Sequence, residues 1–338
     1  MEETPPRLKV VYVVTSTEKD TFLEEAFISM HSLRRVMPHA HIALIVDDHT
    51  AATLKGVRER ETRYVDELIV HQIKGNYTQK QRSRILKTSA RMLLSGDMLF
   101  VDTDTLIVRP LDDILQTDAD LAGVYDLHAR HYKDCSSYAR ACHWGEILGW
   151  PIKDFDQYLN SGVTFARDKE IVHDFYRQWH ENLLYSFSKG VNVDQLSYAM
   201  ANAKFGYIIR PLDDGWNCQL FNGLQYFAKA RIIHYFTASK QQPGERPLFA
   251  LQDIAIHEQV KETGEVPSLV DDIIDDPYLG LAPSINSASN NLNPVEELFQ
   301  STDAYRVLRS LYGTRAFNAV ERFVRFGCRC KNFFSAYK

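Results

Sequence analysis

The stretch Met98-Leu99-Phe100-Val101-Asp102-Thr103-Asp104-Thr105-Leu106-Ile107-Val108 constrains this chain most. Consecutive large apolar side chains leave no polar face, so Met98 to Val101 reads as a strand buried on both sides, as in a parallel sheet. A pair of aspartates one residue apart closes that run. Like charges a few ångströms apart repel by about 1 kcal/mol in water and by several at lower effective dielectric. The pair therefore asks for a hard divalent cation at the strand end, unless Asp102 caps a turn and Asp104 faces solvent. A metal held by two carboxylates keeps coordination positions open, and phosphate oxygens commonly fill them.

The flanking sequence supplies the rest of such a sheet. Leu8 to Ser16 is strand-like and ends in the hydroxyl residues Thr15, Ser16 and Thr17. Phe22 to Val36 carries apolar residues at 23, 26, 27, 30, 33 and 36, a helical spacing, and His41 to Val46 is a second strand closed by Asp47-Asp48. Strand, helix, strand implies parallel pairing, with ligands collecting at the carboxyl ends of the strands. Gln81 to Leu94 reads as a helix around Lys87, leading into the aspartate strand. Glu170 to Leu184 and Asp194 to Ala203 also read as helices, and Ala230 to Phe236 as a late strand carrying His234. The aromatic, polar segment from Asp126 to Tyr158 has no clear period and is the place to seek substrate contacts. Pro243 to Pro294 reads as loop-rich.

Composition narrows the class. With 338 residues and 45% apolar content, the chain can bury a large core. We divide it into a catalytic domain over 1–245, a loop-rich extension over 246–300 and a tail over 301–338. The tail is locally +6, with eight Lys or Arg against Asp303 and Glu321, which leaves −11 for the body. So acidic a body argues against nucleic acid as a partner. No run of apolar residues is long enough to span a bilayer, and Met1 to Lys9 lacks a signal peptide's apolar core, so a cytoplasmic location is expected. The scattered cysteines 135, 142, 218, 328 and 330 read as free thiols. From Asp303 to Phe326, aromatic and aliphatic residues share one helical face with Arg306, Arg309, Arg322 and Arg325 around it. Such a tail either docks on the core or lies on an anionic membrane surface, which would make the protein peripheral to the inner face of the plasma membrane.

Several motifs follow one another in a familiar order: Lys87, Asp102-Thr103-Asp104, Asp126, Asn160-Ser161-Gly162-Val163, Asp194-Gln195, and His234 with Lys240 six residues later. Over about Leu8 to Lys240 the chain resembles the retaining nucleotide-sugar glycosyltransferases of family 8, the group holding glycogenin and bacterial lipopolysaccharide galactosyltransferases. The resemblance implies a GT-A fold, an α/β Rossmann-like arrangement for nucleotide-diphospho-sugars, here with a C-terminal helical tail. It also implies a UDP-sugar donor and a glycan or glycolipid acceptor. Asp102, Asp104 and His234 would bind Mn²⁺ or Mg²⁺, the mixed oxygen and imidazole set suiting manganese.

By the same resemblance, Lys240 would sit on the diphosphate, although the Gly, Pro and Trp that usually accompany this lysine are missing here. Thr15, Ser16 and Thr17 would face the uridine and ribose, and Lys87 would contact both the sugar and Asp102. Asp126, Asn160, Ser161, Gly162, Asp194 and Gln195 would line the sugar. A neutral amide is a poor nucleophile, so Gln195 beneath the anomeric carbon would favour same-face transfer over a double displacement. Two other readings compete. Phe100 to Thr105 also resembles the nucleophile strand of haloacid-dehalogenase-type phosphatases, though it starts far from the chain start and has Leu106 four residues after Asp102. The other is a non-catalytic sugar-nucleotide-binding module.

Overall fold

The computed structural model describes residues 7–135, 137–153, 157–236 and 247–282, with the isolated positions Val307, Leu311 and Ala316. Lys240 lies outside the described residues, as does the tail read over 303–338 apart from those three positions. The strands are β1 (Lys9–Val14), β2 (His41–Asp47), β3 (Glu67–His71), β4 (Met98–Val101), β5 (Thr105–Ile107), β6 (Leu121–Tyr125), β7 (Leu159–Ala166), β8 (Ile209–Pro211), β9 (Cys218–Gln219) and β10 (Ile232–His234). The helices the site depends on are α1 (Phe22–Val36), α2 (Gln79–Leu93), α3 (Tyr138–Ile147), α4 (Glu170–Ser188) and α5 (Asp194–Lys204), followed by α6 (Ile254–Thr263) and α7 (Ser268–Asp275).

A seven-stranded sheet runs in the order β3-β2-β1-β4-β7-β6-β8, and β5-β10-β9 form a smaller one. Strands β1 to β4 pair in parallel and β7 lies antiparallel between β4 and β6. Every residue of β4 is buried, as its unbroken apolar run requires, whereas β3 at the edge alternates and leaves Leu68 and Val70 exposed. One core layer joins the sheet to α1 through Leu23, Ala26, Met30 and Leu33, and the other joins it to α2 and α4 through Leu86, Phe175 and Trp179. Each such side chain contributes about 1.5–3 kcal/mol relative to exposure.

Helix α1 spans the range its periodicity indicated, with Glu24 and Glu25 in its first turn and Arg34 and Arg35 in its last, matching the helix dipole. Helix α2 begins two residues before the sequence reading, because Thr78 and Gln81 form a capping box: Gln81 N–H donates to Thr78 Oγ1 and Thr78 N–H to Gln81 Oε1.

Two segments differ from expectation. Asp126 to Tyr158 is not a featureless loop, since it contains α3, and Tyr132 stacks on Tyr158 with ring centroids 3.7 Å apart. Residues 247–282, read as loop-rich, fold into short helices whose Val260, Val270 and Ile273 pack with Phe27 and Ile28 of α1. Turn residues such as Pro267 and Gly264 cap those helices rather than break them, which the Pro and Gly signals alone do not distinguish. Arg63 pairs with Glu265 and His31 with Asp271 across the same seam. No helix among the described residues is long and apolar enough to cross a membrane.

Candidate active site

Strand register builds the site. The antiparallel pairing of β5 with β10 sets His234 against Thr105, one residue beyond Asp104. Pairing of β4 with β7 sets Val101 against Val163, so the Asp102 N–H donates to the Gly162 carbonyl at 2.7 Å. A bulge between Gly123 and Tyr125 shifts β6 on β7, and the Asp126 N–H then donates to the Tyr158 carbonyl beside Asn160. Residues far apart in sequence converge in this way at the carboxyl end of β4.

Asp102, Asp104 and His234 each offer a ligand atom, all within 4.8 Å of one another. The imidazole tautomer follows from its neighbours. Asn217 donates its amide to Asn160 Oδ1 at 2.9 Å, so its Oδ1 is the acceptor for His234 Nδ1–H at 3.0 Å. That leaves Nε2 facing Asp104 Oδ1 at 3.1 Å. A lone pair opposite a carboxylate oxygen demands a proton or a cation between them, and the oxygen and nitrogen donors suit a divalent metal. Burial alone would raise the Asp104 carboxyl, but charge and hydrogen bonding from His234 outweigh it and hold the group below its usual range.

Lys87 reaches from α2 to this cluster. Its ammonium lies 3.0 Å from Asp102 Oδ1 and 3.4 Å from Asp194 Oδ2, and these two charges overcome burial to keep its affinity for the proton above normal. Asp194 opens α5. Despite burial its carboxyl is pushed well below the ordinary range by Lys87 and by Arg84 at 3.1 Å, and Ser161 Oγ donates to it. The Ser161 N–H donates to Gln195 Oε1 at 3.2 Å. Asp126 behaves oppositely: burial raises its carboxyl, with Asn160 donating to Oδ1 at 3.0 Å. Gly162 lies at the centre. A Cβ there would stand 2.6 Å from Asp102 Oδ2, 2.7 Å from His234 Cε1 and 2.8 Å from Asn160 Oδ1, so only glycine fits.

A cleft of about 530 Å³ opens over the cluster, with Val13, Thr15, Gln79, Lys87, Asp102 and Asp104 among its lining. The sequence of the chain matches no family model, and a search of curated proteins finds no match to it. Its architecture has counterparts. The structure of the galactosyltransferase LgtC in complex with donor and acceptor sugar analogues aligns with a TM-score of 0.50 at 13% identity, over 77% of this chain and 98% of that one. The fold is that of a GT-A glycosyltransferase. Mouse xyloside xylosyltransferase 1 in its apo form aligns at a TM-score of 0.46 and 14% identity, over 70% of this chain and all of that one.

Within the GT-A fold the sequence-derived residues divide into two groups. Lys87, Asp102, Asp104, Asp126, Asn160, Ser161, Gly162, Asp194, Gln195 and His234 form one connected set through the contacts above. The β1 hydroxyls are committed elsewhere. Ser16 Oγ donates to Asp20 Oδ1 at 2.7 Å and accepts from Arg58, Thr17 donates through both N–H and hydroxyl to Asp20 Oδ2, and Thr15 Oγ1 donates to the Gln79 carbonyl. Of the three, Thr15 lines the cleft and Ser16 is buried. Sequence reasoning missed Arg84 and Asn217. Arg84 sits one helical turn before Lys87 and could have been found by that spacing. Asn217 carries no local signal.

Proposed function

We propose that this protein is a retaining glycosyltransferase of the family-8 type, transferring a hexose from a UDP-sugar to a glycan or glycolipid hydroxyl. The observation that carries the reading is the Asp102, Asp104 and His234 set, with Nε2 turned to Asp104 and Lys87 beside it, at a strand end over a nucleotide-sized cleft. These three residues would hold Mn²⁺ or Mg²⁺, which would supply Lewis-acid stabilisation of the charge developing on departing UDP. Lys87 supplies fixed positive charge where negative charge grows, and Lys240 is proposed to add to it on the diphosphate. Thr15, and the backbone around Ser16 and Thr17, are proposed to read the uridine and ribose.

The acids around the sugar position support same-face transfer. Both oxygens of Asp194 already face cations, Oδ1 meeting Arg84 and Oδ2 meeting Lys87, which blunts it as a nucleophile, and Gln195 is a neutral amide. Asp126, Asn160 and Ser161 orient the sugar hydroxyls. A cytoplasmic location, with the basic tail on an anionic membrane surface, belongs to the same proposal and suits a glycolipid acceptor.

The test is UDP release from a panel of UDP-sugars with Mn²⁺, repeated with EDTA. The reading expects release from one donor that stops on chelation. Phosphate freed from a phosphomonoester, with no UDP released from any donor, would replace it with a phosphatase.

A further inference from the structure

Three cations form one stripe on α2. Lys80, Arg84 and Lys87 follow one another at spacings of four and three, which puts them on one helix face, and all three line the cleft with Asp194. The stripe is held in place by the chain itself. Gln81 donates its side-chain amide to Asn192 Oδ1 at 2.8 Å and Arg84 donates to the Asn192 carbonyl, so the first turns of α2 are tied to the segment that leads into Asp194. With the capping box at Thr78, this fixes where the charges stand before anything binds.

Acids are fewer than cations along the stripe. Asp194 is shared by Arg84 at 3.1 Å and Lys87 at 3.4 Å, and Lys87 also meets Asp102. Lys80 has no carboxylate at ion-pair distance among the described residues. Burial, then the charges of Arg84 and of Arg140 on α3, hold its ammonium's affinity for the proton below the ordinary value, against the pull of Asp194. Arg140 lies over the Trp144 ring at 5.3 Å, and its charge also acts on Asp126, which we place on the sugar. A cation partly withdrawn from water, among other cations and without an acid of its own, is stabilised by an anion that arrives with the ligand. The diphosphate is the wrong anion for it. Lys80 stands about 10 Å along the helix axis from Lys87 at the metal-ligand cluster, and the groups it faces are those at the sugar end.

We infer that the transferred sugar is a hexuronic acid, with a carboxylate in place of the primary hydroxyl, and that Lys80 pairs with that carboxylate. The inference rests on the transferase reading and narrows its donor to a UDP-hexuronate. Atoms and electrons balance as in any such transfer: the bond from the anomeric carbon to UDP breaks and UDP keeps the electron pair, the acceptor oxygen bonds to that carbon, and the acceptor's hydroxyl proton is released. A charge-assisted contact discriminates more strongly than a hydroxyl contact, because a neutral hexose leaves Lys80 without its anion. Arg84 and Lys87, both on Asp194, offset the repulsion that this acid would exert on the sugar carboxylate.

The test is UDP release by the full chain with Mn²⁺, comparing UDP-glucuronic and UDP-galacturonic acid with UDP-glucose, UDP-galactose and UDP-N-acetylglucosamine. One uronate donor should exceed its neutral counterpart in kcat/KM. Lys80→Gln should lower kcat/KM for that uronate roughly 10- to 100-fold, the loss of one charge-assisted contact, and for the neutral counterpart by a much smaller factor. Lys80→Arg should keep the preference, and Arg140→Gln should weaken it by a smaller factor than Lys80→Gln. Preference of the wild type for a neutral hexose overturns the assignment. So does a Lys80→Gln variant that loses all donors and inhibition by UDP alike, which would put the ammonium on the diphosphate, or one that changes neither. UDP release from no donor is a different failure: it removes the transferase reading and this assignment with it.

Discussion

Two groups of acids, one partly exposed at the cleft and one buried under α1, are handled in opposite ways. At the end of β4, Asp102 meets Lys87, Asp104 meets His234, and Asp194 meets Lys87 and Arg84. Under α1, Glu61 is fully buried and neither of its oxygens has a hydrogen-bond partner among the described residues. Burial and the neighbouring Glu24 push its carboxyl up to about 8, against the opposing pull of Arg58, Lys261 and Arg63. Burial alone therefore does not decide whether an acid stays charged. Placed donors and cations do, and the chain concentrates them at the cleft.

The contrast breaks most sharply at Asp104. Asp104→Ala should cut metal-dependent UDP release by roughly a thousandfold or more with little change in melting temperature, read by a coupled UDP assay and calorimetry. Glu61→Gln should do the reverse, changing stability and not turnover. Folded Glu61 holds its proton up to about 8 and the unfolded chain only up to about 4.5, so the folded state carries the extra proton between them and stability falls as pH rises through that window. The variant should match the wild type below the window and exceed it by a few kcal/mol, as an order of magnitude, above it. Denaturant melts across the pH range would show this.

A smaller effect sharpens the cleft side. Asn217→Ala releases His234 Nδ1, and the Mn²⁺ concentration for half-maximal UDP release should rise roughly 10- to 100-fold. Smallest is Ser16→Ala, which should cost about 1 kcal/mol of stability through lost bonds to Asp20 and Arg58, with the donor KM unchanged. A large rise in donor KM would instead put that hydroxyl on the nucleotide.

These residues also mark where sequence reasoning reaches and where it stops. Helix α1 and strand β4 were legible because apolar spacing is a local property. Asp102 and Asp104 were legible because unpaired charge at the end of an apolar strand has few explanations. The β1 hydroxyls were legible as a strand end but not in direction: Asp20 captures Ser16 and Thr17 through a turn that propensity does not specify. Asn217 orients His234 only because β9 lies parallel to β10, a pairing between neighbours that neither strand announces. The helices of 247–282 were hidden for another reason. They are short, and their apolar faces are completed by α1 rather than by their own length.

Gly162 carries a consequence for how such a chain can vary. Any side chain at this point pushes at once against Asp102, His234 and Asn160, groups drawn from three strands or their ends. Random mutagenesis under selection for transfer should therefore leave this position untouched while Val70 and Leu68 drift freely. Compensation would require the side chains of Asp102, His234 and Asn160 to give way together, so a second single substitution should not rescue it. The site has a keystone with no atoms beyond the main chain, and mutation can only add to it.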